Sequence, residues 1–368
     1  MKREYIVIGI ILLFLGACLL PTAAQNIEKK KSGVRGNWLY VGGSGPGNYS
    51  KIQDAIDNAS NGDTVFVYPG TYPEHIEIQH SITLHGSDPL TTRIDGKNTS
   101  TEIVKCTAAG SVITGFSVFN CSLYRPCILI NNTANCTVTG NIFHTSGYGI
   151  RLRNSQNISI IQNTITNTRH GISDSMNELH TWTNKYLTIQ DNVIKNISQG
   201  IHLLGSTDYT LTGNTIDNAT SVGIYIAEDI MEGPTPRNIT INENIITSSR
   251  YGIEVDYAIN ATITGNKIQQ NTLALMLKFN SFTSVENNTF EGNTDTILYR
   301  WALFPLSSIQ TKIPHFDNNY WEKALAAPKP IFGRWGLFCF SAFFEPIHPF
   351  PWMTFDWHPA QEPYVIAG

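Results

Sequence analysis

The chain of 368 residues has few charged side chains, with 25 Lys and Arg against 29 Asp and Glu, and its formal net charge is −4 at pH 7. Nucleic-acid phosphates are bound by a clustered basic face, which this composition does not indicate. No C-x-x-C occurs in the sequence, which disfavours a zinc or redox site. We therefore expect no nucleic-acid partner, no metal and no cofactor.

The N-terminus has the layout of an export signal. Lys2 and Arg3 precede an apolar run from Tyr5 to Leu20, and small residues follow at positions 22–24. This pattern predicts a signal peptide over residues 1–24 and a protein that is secreted or held on the outer cell surface. The run is close to the lower limit for crossing a bilayer, so an uncleaved anchor is the alternative and the only membrane contact that we expect.

The sequence has six cysteines, one of them within the predicted signal. Four of the other five fall between Cys106 and Cys136. Because an exported protein can keep disulfides, we expect one or two local bridges. The odd number leaves at least one free thiol.

An Asn recurs at nearly constant spacing, with successive residue numbers differing by 22, 29, 22, 30, 22 and 22. A unit of about 22 residues with two longer copies is typical of the coil of a parallel β-helix. We expect this Asn to turn the chain through a left-handed backbone conformation and to bond the equivalent Asn one coil away. The set is Asn141, Asn163, Asn192, Asn214, Asn244, Asn266 and Asn288.

Three apolar stripes run in phase with this Asn. The first lies three residues before it and the second two after it, represented by Ile160 and Ile165. The third stripe follows a small residue, usually Gly, as in Ile172 and Ile201. Side chains alternate across a strand, so these positions point inward. The pattern predicts an all-β fold, a right-handed three-sheet parallel β-helix (solenoid).

The repeat also suggests the domain organisation. Apolar residues at helical spacing between Ile52 and Ala59 predict a short helix that caps the N-terminal end. We expect a linker over residues 25–48, the β-helix over 49–300 and an aromatic, Pro-rich capping segment over 301–368, because the repeat stops after about Tyr299.

The opening of this region resembles a known superfamily. Ile52-Gln53-Asp54-Ala55-Ile56, Gly70-Thr71-Tyr72-Pro73-Glu74 and coils such as Asn238-Ile239-Thr240-Ile241 resemble NosD-type right-handed β-helix repeat proteins of the pectin-lyase-like superfamily. The resemblance covers about Tyr49 to Tyr320 and implies the fold, while one scaffold hosts many activities. The catalytic elements of pectin methylesterases are missing, so that activity does not carry over. The copper handling of some NosD proteins is not expected either, because no His or Met cluster occurs.

Two inserts, Ser173–Lys185 and Ala227–Arg237, lengthen two coils at the same corner, where they would flank a groove. Outward positions beside the third stripe combine aromatic rings with cations and carboxylates, which suits stacking on sugars and hydrogen bonding to hydroxyls. A mixed polar surface without function is the alternative. The predicted ligand-binding residues are Tyr148, Arg151, His170, His202, Tyr225, Tyr251 and Asp256.

Catalytic residues are less defined by the sequence. Asp174 occupies an inward position that is apolar in the other coils, so it is either a buried, catalytic carboxylate or, as we favour, the point where the chain leaves the core to begin the loop. Glu178 and Glu254 are further candidates for acid–base chemistry on a polysaccharide.

Four N-x-S/T sequons share one register, six residues before the recurring Asn, at a corner that should be exposed. They predict glycosylation of Asn135, Asn157, Asn238 and Asn260. The favoured function is a non-catalytic exported protein that binds carbohydrate or another cell-surface component along one face. A polysaccharide hydrolase or lyase, and a rigid structural surface protein, are the alternatives.

Overall fold

The computed structural model describes residues 36–98, 100–174, 184–228, 234–305, 312–322, 325, 327–339 and 350–366. The signal predicted at residues 1–24 lies outside them. One helix is described, α1 (Ile52–Asp57). The strands of the N-terminal coils are β1 (Trp38–Val41), β2 (Thr64–Val67), β3 (Gly70–Tyr72), β4 (Ile76–Ile78), β5 (Thr83–Gly86), β6 (Thr92–Asp95), β7 (Val104–Cys106), β8 (Val112–Thr114), β9 (Ser117–Phe119) and β10 (Pro126–Asn131).

The middle coils contain longer strands, several of which bend around a corner without a break. They are β11 (Thr137–Thr139), β12 (Ile142–Arg153), β13 (Gln156–Ile161), β14 (Thr164–Asp174), β15 (Lys185–Gln190), β16 (Val193–Leu204), β17 (Thr207–Thr212), β18 (Thr215–Ala227), β19 (Arg237–Asn242), β20 (Ile245–Thr247) and β21 (Tyr251–Asp256). The last coils contain β22 (Ile259–Thr264), β23 (Lys267–Gln269), β24 (Leu273–Lys278), β25 (Ser284–Glu286), β26 (Thr289–Glu291), β27 (Asp295–Pro305), β28 (His315–Asp317), β29 (Tyr320–Trp321), β30 (Lys329–Cys339) and β31 (Phe350–Asp356).

The strands of the coils pair in parallel with their equivalents in the next coil, while β30 and β31 pair antiparallel. A 12-stranded sheet runs from β1 to β28 and carries the first stripe, where Ile160 pairs with Ile189. The other strands form a 19-stranded sheet that carries the second and third stripes on its two halves. Ile165 pairs with Ile194 in the second stripe and Ile172 pairs with Ile201 in the third, and all these side chains are buried. The predicted three-sheet parallel β-helix is confirmed.

The recurring Asn forms a buried ladder along the solenoid. In Asn214, for example, the side-chain Nδ2 donates to Asn244 Oδ1 at 2.9 Å and to the Ile189 carbonyl at 2.8 Å. Its backbone N–H also donates to Asn244 Oδ1, at 3.0 Å. The predicted bonding between equivalent Asn residues is therefore confirmed.

The predicted left-handed conformation of the ladder Asn is wrong. The residue before it has the positive φ, as in Gln162 and Glu243, both at 55°. The chain thus turns one residue earlier, and the Asn is left free to direct its amide into the core, where it bonds the backbone of two coils.

The N-terminal end is closed by α1, as the sequence predicted. Ile52 and Ile56 are buried in the core, and the Glu74 carboxylate accepts hydrogen bonds from the backbone N–H groups of Ile52 and Gln53 at 2.9 and 3.1 Å. A carboxylate at this position satisfies helix N–H groups that have no partner within the helix. Strand β1 lies within residues 25–48, the stretch expected to be a linker, and it pairs with β2. The sheet therefore begins upstream of Tyr49.

At the other end the repeat continues for one coil beyond Tyr299, contrary to the prediction. Phe316 extends the first stripe and Trp321 the second, and Asn319 extends the ladder. The ladder ends on the buried Asp356, whose Oδ2 accepts from Asn319 Nδ2 at 3.1 Å and from Trp321 Nε1 at 3.0 Å. The aromatic composition therefore belongs partly to the solenoid itself.

One of the expected local disulfides is present, between Cys121 and Cys127. Cys106 and Cys136 are free and buried. No helix among the described residues is long and apolar enough to span a membrane.

Candidate functional site

The predicted ligand-binding residues lie on one surface, the outer side of the strands that carry the third stripe, from β10 to β27. We call this surface the candidate face. In one column Tyr148 pairs with His170, and in a second column His202 pairs with Tyr225 and Tyr225 with Glu254. The side chains alternate with the buried stripe, so the register brings residues from successive coils together.

Four rings on this face form a continuous row, which we call the aromatic row: Tyr148, His170, His202 and Tyr225. Tyr148 stacks on His170 with ring centroids 4.6 Å apart, and the following pairs are 5.5 and 5.1 Å apart. The Arg151 guanidinium lies 4.4 Å from the Tyr148 ring centroid, at a distance suited to a cation–π contact. The row thus presents a surface of partly exposed rings across four coils.

The two histidines of the row are neutral at physiological pH. Burial, with the neighbouring His202, Arg169 and Arg151, lowers the pKa of His170 to about 3. Burial, together with Arg151, lowers the pKa of His202 to about 4. Neutral imidazoles can pack as aromatic surface and still offer a ring nitrogen for hydrogen bonding.

A charged cluster adjoins the C-terminal end of the row. Lys278 Nζ forms ion pairs with Glu254 Oε1 and with Asp256 Oδ2, the latter at 3.1 Å. Burial, and then the charge of Glu254, raise the pKa of Asp256, while Lys278 opposes the shift. Burial with Asp256 and Glu254 nearby also raises the pKa of Tyr225, which keeps its hydroxyl protonated. The cluster therefore places two carboxyl groups and an ammonium group, paired with one another, at one end of the row.

Tyr251, also predicted to bind ligand, lies apart from the row. It occupies the Tyr148 column, but Gln199 and Val222 separate it from His170. The Arg250 guanidinium lies 5.1 Å from the Tyr251 ring centroid.

The expectation that the chain leaves the core at Asp174 is wrong. Its side chain is buried and pairs in register with the inward Leu152. Asp174 Oδ1 accepts from the Leu204 N–H and Oδ2 from Ser206 Oγ, both at 2.6 Å. Burial raises the pKa of Asp174 to about 7, and these hydrogen bonds oppose the shift. A carboxylate enclosed in this way does not reach a ligand on the candidate face.

The remaining predicted residues are distributed as follows. Glu178 lies outside the described residues. The four predicted glycosylation sites are exposed at one corner, each with a positive φ. Their side chains stack, since Asn157 Nδ2 donates to Asn135 Oδ1 at 2.7 Å and Asn260 Nδ2 donates to Asn238 Oδ1 at 3.0 Å. Glycosylation stays a prediction.

Sequence reasoning missed Lys278, which holds both carboxylates of the charged cluster. Lys278 lies three residues after Leu275 of the third stripe, a position equivalent to that of Asp256. This equivalence was the signal in the sequence that could have identified Lys278.

No sequence among curated proteins matches the chain. Among solved structures, XylC in complex with xylose matches with a TM-score of 0.57 and 10% identity, over 82% of this chain and 71% of that one. The enzymatically active domain of tailspike protein 2 of bacteriophage CBA120 matches with a TM-score of 0.52 and 12% identity, over 78% of this chain and 47% of that one. At these identities the likeness concerns the fold alone.

Two family models match the sequence. The model of the periplasmic copper-binding protein NosD matches residues 56–233, and that of the right-handed β-helix region matches residues 199–322. The described residues bring no three His, Cys, Asp or Glu side chains together as metal ligands, so they do not fit a copper centre of that composition. The repeat, the ladder and both matches agree that the chain is a right-handed parallel β-helix protein, and its residues 56–233 are similar to the NosD family.

Proposed function

We propose that the protein binds carbohydrate along the candidate face, outside the cytoplasm and without catalysing a reaction. The observation that carries this proposal is the aromatic row, in which four half-buried rings from successive coils contact one another. Sugar rings present apolar C–H faces that pack on aromatic rings, while their hydroxyls need polar partners at the edges. Arg151 at one end of the row provides such a partner.

The proposal is supported by rigidity as well as by chemistry. Each row residue is fixed by two neighbouring strands and by a buried stripe beneath it, so little side-chain entropy remains to be lost on binding. The predicted export signal and the match to a family of periplasmic proteins support a location in the periplasm or beyond the cell.

Binding without catalysis is favoured by the state of the carboxylates. Asp174 is enclosed, and Glu254 and Asp256 are both paired with Lys278 and less than a tenth exposed. A general acid or base must reach the atom that it protonates or deprotonates.

One observation favours the alternative of a polysaccharide hydrolase or lyase. Glu254 and Asp256 contact the same Lys278 Nζ, so their carboxylates lie close together, and the pKa of Asp256 is raised. Two nearby carboxyl groups, one of them protonated, are what glycoside hydrolysis requires.

The test is to incubate the purified protein with a panel of neutral and acidic polysaccharides and to measure retention and product release together. We expect retention without released oligosaccharides, and weaker retention for Tyr148→Ala and Tyr225→Ala. Tyr186→Ala, an exposed Tyr on the other sheet, is the matched control. Products that disappear in Glu254→Gln would establish the enzyme instead, and no retention of any polymer would refute the binding proposal.

A further inference from the structure

A cavity of about 240 Å³ opens on the candidate face beside the N-terminal end of the aromatic row. Four basic side chains line it, Lys105, Arg125, Arg151 and Arg153, against one acidic residue, Glu102. We call it the arginine pocket. Lys105 is already paired with Glu77, outside the lining, at 2.8 Å. The three arginines therefore face a single lining carboxylate, and the pocket carries an excess of positive charge.

The stacking of coils creates this concentration of charge. Lys105 and Arg151 stand in one column, two coils apart with Leu129 between them. Arg153 stands in the next column, paired with Asn131. Lys105 and Arg153, which are 48 positions apart in sequence, thus line one pocket, which is why the composition alone gave no sign of a basic patch.

Three polar atoms of residues that line the pocket are buried without a hydrogen-bond partner among the described residues. The Nε atoms of Arg151 and Arg153 and the Oδ1 of Asn131 make no hydrogen bond within the part of the chain that the structure describes. A buried polar group without a partner costs on the order of 1–3 kcal/mol. Two of these atoms, the arginine Nε atoms, are hydrogen-bond donors that an anionic ligand with acceptor oxygens would satisfy.

The type of hydrogen-bond donor in the pocket indicates the chemical class of the ligand. A guanidinium presents a planar fork of N–H groups that matches a carboxylate or sulfate in a two-point hydrogen bond. The pocket adjoins the aromatic row through Arg151, whose guanidinium lies 4.4 Å from the Tyr148 ring centroid. A sugar unit that packs against the edge of the Tyr148 ring would therefore place a substituent next to Arg151 and Arg153.

We propose that the arginine pocket binds the anionic substituent, carboxylate or sulfate ester, of an acidic sugar unit, so that the saccharide recognised by the candidate face is an acidic one. This inference rests on the proposed function, because the remaining sugar units would lie on the aromatic row. The pocket provides the preference for charge, and the row provides the contact area.

The experiment compares pairs of polymers that share a sugar backbone and differ in whether their substituents are charged. Polygalacturonate is compared with its fully methyl-esterified form, and dextran sulfate with dextran, by calorimetric titration of the full-length protein. We expect each acidic polymer to bind at least about tenfold more tightly than its neutral counterpart, and the difference to shrink at high salt. The two pairs show whether carboxylate or sulfate is preferred.

Variants test which residues are responsible for the preference for the acidic polymer. Arg153→Gln and the exposed Arg125→Gln should each weaken binding of the acidic polymer about ten- to hundredfold, as expected for a charge-assisted hydrogen bond, and leave the neutral polymer unaffected. Arg237→Gln, which removes the same charge from an exposed position on the other sheet, should have no effect.

The outcomes separate the two proposals. Equal affinity for charged and neutral polymers, reduced by Tyr148→Ala, would refute the arginine pocket and keep the aromatic row. Preference for the acidic polymer that depends on Arg153 but not on Tyr148 or Tyr225 would keep the pocket and refute the row. Equal losses in Arg153→Gln and Arg237→Gln would show non-specific attraction and overturn the inference.

Discussion

Removing the side-chain amide of Asn244 from the Asn ladder should destabilise the protein far more than removing that of the half-buried Asn242. Asn244 Oδ1 accepts from the Asn214 backbone N–H at 3.0 Å, and Asn244 Nδ2 donates to the Leu211 carbonyl at 2.9 Å and to Asn266 Oδ1 at 3.0 Å. In Asn244→Ala the buried Asn214 N–H loses its acceptor, which costs about 1–3 kcal/mol, and the other hydrogen bonds contribute about 1 kcal/mol each. We expect a loss of about 2–5 kcal/mol in the free energy of unfolding.

The matched control is Asn242→Ala, two residues earlier in the same coil. The Asn242 side chain is outside the core and donates or accepts no hydrogen bond among the described residues, so we expect a change within about 0.5 kcal/mol. Both variants are measured by urea denaturation monitored by circular dichroism. If the two substitutions lower the urea midpoint equally, the ladder does not stabilise the solenoid as argued.

The remaining predictions concern single buried groups. Since burial raises the pKa of Asp174 from 3.8 to about 7, the unfolded state loses its proton first and the free energy of unfolding falls as the pH rises from about 4 to 7. Asp174→Asn should remove this fall, which amounts to roughly 4 kcal/mol between pH 4 and pH 8. A variant whose free energy of unfolding depends on pH as that of the wild type does would contradict the argument. Since the pKa of His202 is lowered from 6.5 to about 4, the free energy of unfolding of the wild type should fall by roughly 3 kcal/mol as the pH is lowered between these values. A His202→Gln variant that loses as much stability over the same pH range would count against the burial argument. Replacing Cys121 and Cys127 by Ser should lower the free energy of unfolding in urea by about 2 kcal/mol. Dithiothreitol should lower the urea midpoint of the wild type to that of the variant and leave the midpoint of the variant unchanged.

The periodic features of the fold could be predicted from the sequence because they repeat. Ile160 and Ile189 stand at the same position relative to the ladder Asn, and a parallel β-helix converts that phase directly into register. The last coil was missed because its ladder residue, Asn319, lies 31 positions after Asn288, and because both of its stripe positions are aromatic, Phe316 and Trp321.

The individual polar groups could not be predicted in the same way. The burial of Asp174 depends on partners 30 and 32 residues away, Leu204 and Ser206, whose distance no local pattern shows. The columns of the candidate face followed from the register, but the contacts within the aromatic row depend on side-chain rotamers. The pairing of Lys278 with Glu254 likewise appears only when neighbouring coils are stacked.

The central claim, that carbohydrate lies along the candidate face, is tested most directly by hydroxyl-radical footprinting of the protein with and without a bound polysaccharide. The chain contains a second aromatic surface for comparison, where Trp38 and Tyr40 are exposed and contact Phe66. We expect the ligand to protect Tyr148 and Tyr225 from oxidation and to leave Trp38, Tyr40 and the exposed Tyr186 unprotected. Protection of Trp38 and Tyr40 with none at Tyr148 and Tyr225 would contradict the account.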